Sequence, residues 1–94
     1  MNVKYVFEVM EIQQKDDLWE ISGLVFSAIK LGDILSTTEQ LDDDMPRLLI
    51  KDIITYGHHM EKLDEGYTGR IVVQNVSEAD FTQGKYLYRV SSNG

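Results

Sequence analysis

The chain has 94 residues, 43% of them hydrophobic, with sixteen acids against nine bases and a formal charge of −7. That length holds one domain, residues 1–94, with a small core, and the hydrophobic share excludes disorder over most of it. The absence of cysteine excludes disulfides and cysteine-ligated zinc, while the negative charge repels nucleic acid and anionic membranes and attracts basic partners.

Residues 3–12 alternate with the period of a strand, Val3, Tyr5, Phe7 and Val9 on one face and Val6, Met10 and Ile12 on the other. Residues 13–17 read as a polar turn. Residues 18–28 are the next strand, with Trp19, Ile21 and Val25 sharing a face and Gly23 signalling a bulge or tight bend. Residues 29–37 follow, broken by a turn at Lys30-Leu31-Gly32-Asp33. Residues 39–46 read as an exposed loop, because Asp42, Asp43 and Asp44 repel one another and Pro46 turns Met45 away from helix. Residues 47–56 form a strand with Leu48, Ile50 and Ile54 on one face and Leu49, Ile53 and Thr55 on the other. Gly57, His58 and His59 leave it, and residues 60–65 are long enough for one helical turn but not for an independent helix. Residues 70–76 and 85–90 bring the count to six strands. The expected fold is all-β, with six antiparallel strands closed into a barrel, because closure removes exposed edges.

Chemical signals are sparse. His58 and His59 are adjacent, so on an extended chain they point to opposite faces and do not share one metal. Asp42-Asp43-Asp44 lacks the alternate spacing, central glycine and distal glutamate of a calcium loop. Asp64-Glu65 has no second carboxylate pair at an obvious distance for acid–base work. Gly66 and Gly69 lead into Arg70-Ile71 rather than into the Lys-Ser or Lys-Thr of a phosphate loop. Tyr86 and Tyr88 share a face of the last strand, where they either stack on bases or pack over the barrel; the scarcity of basic neighbours favours packing. No catalytic residue, cofactor or metal ligand is indicated.

Several short motifs carry a resemblance. Val9 to Ile12 is an acidic-apolar run, Ser22-Gly23 stands where a Thr-Gly step is expected, and Ala28-Ile29-Lys30-Leu31-Gly32-Asp33 is similar to a Gly-x-Ile-Lys-x-Gly-Asp turn. Thr68-Gly69, residues 71–76 and Gln83-Gly84 follow in similar order and spacing. The chain thus resembles the β-barrel that follows the GTPase domain in translation elongation factors of the Tu type. The resemblance implies a Greek-key topology. In that family the barrel helps hold the aminoacyl end of tRNA or touches ribosomal RNA. Lys15-Asp16-Asp17 departs from the family's Gly-Arg-Gly turn, and these 94 residues hold no GTPase domain, so the RNA surface is expected to be lost.

The reading that remains is a non-catalytic protein-interaction module for a basic partner, with an immunity or inhibitor protein against a basic target as one form. The alternatives are a stand-alone translation-associated factor that binds RNA or the ribosome, and a small-ligand-binding barrel. The partner surface is expected at Asp16, Asp17, Asp42, Asp43 and Asp44, the two densest acid clusters. Gly32, Gly69 and Gly84 are expected to be structural. No run approaches the ~20 apolar residues of a membrane span, and residues 1–7 have no apolar stretch of signal length; cytoplasmic placement is the expectation.

Overall fold

The computed structural model describes residues 5–38, 45–77, 81 and 84–90. Nine strands occur among them: β1 (Tyr5–Lys15), β2 (Leu18–Val25), β3 (Ile29–Lys30), β4 (Ile34–Ser36), β5 (Leu48–Thr55), β6 (His58–Met60), β7 (Lys62–Leu63), β8 (Thr68–Asn75) and β9 (Tyr86–Arg89). The described residues contain no helix. Hydrogen-bonded neighbours run β4-β9-β1-β2-β8-β5, and β5 pairs back to β4, so six strands form a ring of antiparallel pairings. β6 extends β5 outside the ring, and β3 and β7 make a separate two-stranded sheet. Each ring strand overlaps one of the six segments expected from periodicity, but the segment 29–37 divides: Ile29–Lys30 joins the separate sheet and only Ile34–Ser36 joins the ring.

Alternation is interrupted three times, and each interruption redirects side chains. The pairing of β1 with β9 shifts between Tyr5 and Phe7, which lets the consecutive Val6 and Phe7 both be buried. β1 shifts against β2 between Val9 and Glu11, leaving Met10 65% exposed. β5 shifts against β8 between Ile50 and Asp52, so Leu48 and Ile50 are buried before the bulge and Ile53 and Thr55 after it. An unbroken alternation through residues 47–56, as expected from sequence, would have put Ile54 in phase with Leu48. The signal at Gly23 has its bulge on the partner strand. A Cβ at Gly23 would collide with the Glu8 carbonyl oxygen and lie 2.6 Å from Cε1 of Phe7, so glycine there lets β1 curve onto β2.

The interior is filled by Phe7, Ile21, Leu35, Ile53, Ile71 and Leu87, none with measurable exposure, together with their neighbours. Burying a side chain of this size contributes about 1.5–3 kcal/mol. Strand directions define two ends. One end, called here the hairpin end, carries the β1–β2 turn, the end of β4, the start of β5, the end of β8 and the start of β9. The opposite end carries the start of β1 and β4, the ends of β2, β5 and β9, and the β3/β7 sheet. Apolar residues close both. Ile29 and Leu63, directly paired across β3 and β7, are buried at the sheet end. Met45 and Phe81, which lie in irregular segments, are buried at the hairpin end, where Phe81 meets Trp19 edge-on with ring centroids 5.0 Å apart.

Two local expectations change. The segment 60–65 is not helical: it contributes Met60 to β6 and Lys62–Leu63 to β7. Three- and two-residue strands are defined by their partners, so no periodicity announces them. The turn expected over residues 13–17 shrinks to Asp16 and Asp17, because Gln13, Gln14 and Lys15 continue pairing with Glu20, Trp19 and Leu18. The turn at residues 30–33 forms as expected, with Asp33 N–H donating to the Lys30 carbonyl at 3.1 Å and Gly32 at φ 90°.

Candidate binding surfaces

Asp16 and Asp17 occupy the two-residue turn between β1 and β2 and are both exposed. Asp16 sits at φ 59°, a left-handed conformation that Asp tolerates better than most residues. The Gln14 side-chain amide donates to its carbonyl at 3.3 Å. Asp42, Asp43 and Asp44 lie outside the described residues. The connector that contains them leaves β4 after Ser36 and joins β5 at Leu48, and both points face the hairpin end. The third connector at that end runs from Asn75 to Tyr86. Eight of the sixteen acids fall in these three connectors: Asp16, Asp17, Glu39, Asp42, Asp43, Asp44, Glu78 and Asp80.

The sheet end is closer to balance, with Lys30, Lys62 and Arg89 against Asp33, Glu61, Asp64 and Glu65. Lys30 and Lys62 face each other across β3 and β7, and Arg89 closes β9 beside them. Asp33 serves this group: its carboxylate lies 3.3 Å from Lys30 Nζ and 4.0 Å from Arg89 Nε.

A groove of about 340 Å³ lies on the flank of the ring, over the paired Gly23 and Gly69, with Met10, Tyr56 and Arg70 along its rim. Tyr56 has the strongest individual signal on the surface. It is 83% exposed and sits at φ 50° in the turn that joins β5 to β6, followed by Gly57 at φ 78°. Two successive positive φ values are the pattern of a type I′ hairpin turn, where Asn, Asp or Gly is favoured. A tyrosine there carries about 1–2 kcal/mol of backbone strain and gains no burial in return. Sequence reasoning passed over it; the Tyr-Gly step between an alternating run and a polar pair was the available hairpin signal.

Other sequence candidates are placed without a shared chemistry. His59 Nδ1 lies 2.8 Å from Asp52 Oδ2 across the β5–β6 pair, while His58 pairs with Thr55 beside the turn, so the two histidines serve different neighbours. Asp64 pairs with Lys62 at 3.4 Å, and Glu65 stands exposed in the following turn. Among the described residues no three His, Asp or Glu side chains gather as metal ligands. Tyr86 and Tyr88 pack on the outside of the ring against Tyr5, with centroids 4.3 and 6.3 Å away, and Phe26 meets Tyr5 at 4.9 Å. Gly69 and Gly84 are close-approach positions: a Cβ would lie 2.8 Å from Leu63 Cδ2 in the first case and 2.5 Å from Thr37 Cγ2 in the second. No described helix is long and apolar enough to cross a membrane. No protein-family model, curated protein or solved structure matches this chain.

Proposed function

We propose that this chain is a non-catalytic protein-interaction module that docks a basic partner through the hairpin end of the ring. The observation that carries the reading is that three connectors are rooted at one end, fixed by strand direction, and hold eight acids against Arg47 and Lys85, while acids and bases nearly balance at the other end. Such a separation of charge orients an approaching basic surface and speeds encounter more than it deepens affinity. An immunity or inhibitor protein for a basic target is one form of this function, and a cytoplasmic setting is compatible with it.

The finer description of the fold belongs to the same proposal. The ring order, in which β4, β5 and β8 are successive neighbours and β2 lies beside β8, supports a closed Greek-key barrel. It is consistent with kinship to the second domain of elongation factor Tu. An RNA- or ribosome-binding role is the weaker alternative, since a net charge of −7 repels phosphate backbones. A ligand held inside the ring is weaker still, because side chains fill the interior.

The test uses a variant with Asp16, Asp17, Asp42, Asp43 and Asp44 changed to Asn or Ser. Both proteins are immobilised and challenged with native lysate at low and high salt, and the association rate is then measured with the isolated partner. The proposal expects a basic protein that the wild type captures faster than the variant, with the difference shrinking as salt rises. Equal association rates at low salt would overturn it.

A further inference from the structure

A pocket of about 290 Å³ opens at the sheet end, lined by Ala28, Ile29, Lys30, Asp33, Lys62 and Arg89. Three of the nine basic residues of a chain with charge −7 therefore meet in one cavity, against one lining carboxylate. The arrangement is unfavourable unless something balances it. Lys30 and Lys62 are directly opposite across an antiparallel pair, where like charges repel. Asp33 offsets one charge: it accepts from the Lys30 backbone N–H at 3.0 Å and lies 3.3 Å from its ammonium. Among the described residues Lys62 pairs with Asp64, and that pair is more than 60% exposed on both sides, so water screens it strongly.

Arg89 is held rather than loose. Its guanidinium donates to the Ala28 carbonyl, and Nε faces Asp33. Arginine has five N–H donors in a planar fork, so these two contacts leave others available to a ligand in the cavity that Arg89 lines. Gly32, at φ 90°, carries the turn that brings Asp33 back to Lys30. The backbone here is tied down too, with Leu31 N–H donating to the Glu61 carbonyl at 3.0 Å and Gly32 N–H to the Ile50 carbonyl at 3.0 Å. A preoriented guanidinium beside two ammonium groups is suited to a tetrahedral oxyanion with two negative charges.

We propose that this pocket binds a phosphate group, either as inorganic phosphate or as the phosphomonoester of a small molecule, with Lys30, Lys62 and Arg89 as its cationic ligands. The site stands apart from the docking end: neutralising the acids of the hairpin end leaves it intact, and loss of either function does not remove the other.

The experiment is a two-dimensional amide NMR titration of the full chain with inorganic phosphate and, separately, with O-phosphoserine, each against sodium chloride at matched ionic strength. Saturable shifts confined to residues 28–33, 62 and 89, half-complete at about millimolar concentration or below, are the expected result. Tighter binding of the phosphoserine arm assigns a monoester, and equal or weaker binding assigns free phosphate. The K30Q/K62Q double variant alters two side chains that are mostly exposed, so it should keep wild-type signal dispersion and weaken phosphate about tenfold or more. R89K retains the charge but loses the fork and should weaken it several-fold. Shifts that chloride reproduces, that never saturate, or that survive unchanged in K30Q/K62Q would overturn the proposal.

Discussion

The two ends of the ring solve one problem in different ways. Each must keep water from the interior. The sheet end does so with Ile29 and Leu63, a cross-strand pair whose position is set by register and by the ladder on either side. The hairpin end does so with Met45 and Phe81, single residues from connectors without regular pairing. The ends also differ in charge, with eight acids in the connectors rooted at the hairpin end and acids and bases nearly balanced at the sheet end, where Lys30, Lys62 and Arg89 share a pocket on paired backbone. The lesson is that a precise arrangement of cations needs a fixed backbone, whereas a field that steers a partner needs only charge of one sign at one end.

The largest effects should come from removing the plugs. Leu63→Ala and Phe81→Ala should each cost about 3 kcal/mol by urea denaturation. Comparable losses would establish both residues as equal members of one core. A loss below about 1 kcal/mol for Phe81→Ala would mean that the hairpin end is covered, not closed.

The close-approach glycines sharpen the same contrast. A Cβ at Gly69 would meet Leu63 Cδ2 at 2.8 Å and the β5 backbone at Ile54 O, 3.2 Å away, while one at Gly84 would meet only the side chain of Thr37 within 3 Å. Paired backbone yields less than a side chain near a connector. Gly69→Val is therefore expected to lose about 2–3 kcal/mol and Gly84→Val about 1–2 kcal/mol. The reverse order in thermal unfolding would place the rigid end on the wrong side.

Tyr56→Asn should move in the opposite direction. It keeps the left-handed turn and relieves strain, so stability should rise by about 0.5–1 kcal/mol. A fall in stability would show that Tyr56 packs on the fold. The smallest change is expected at the acidic turn. Asp16→Asn with Asp17→Asn should alter stability by less than about 0.5 kcal/mol, since exposed charges contribute little, and lower only the low-salt association rate with a basic partner. A larger stability change in the same denaturation experiment would assign the turn a structural role.

Most strands of the ring were legible in the residue pattern. Side chains alternate where one face is buried, and burial writes a period of two into residues 18–25 and 71–75 and, on either side of a bulge, into residues 48–50 and 53–55. The sequence also marked the turn at residues 30–33, where glycine takes the positive φ and Asp33 caps the turn locally. It did not determine β6 and β7, because His58–Met60 and Lys62–Leu63 are too short to carry a period and exist only through their partners. The three bulges were equally hidden: an extra residue shifts the phase only relative to a neighbouring strand. Tertiary structure alone decided the surfaces. Asp16–Asp17 and the connector from β4 to β5 share an end because strand direction in the ring puts their roots there. Lys30, Lys62 and Arg89 share a pocket because β3 pairs with β7 beside the end of β9. Local propensity reads neighbours along the chain, and these groups are neighbours only across it.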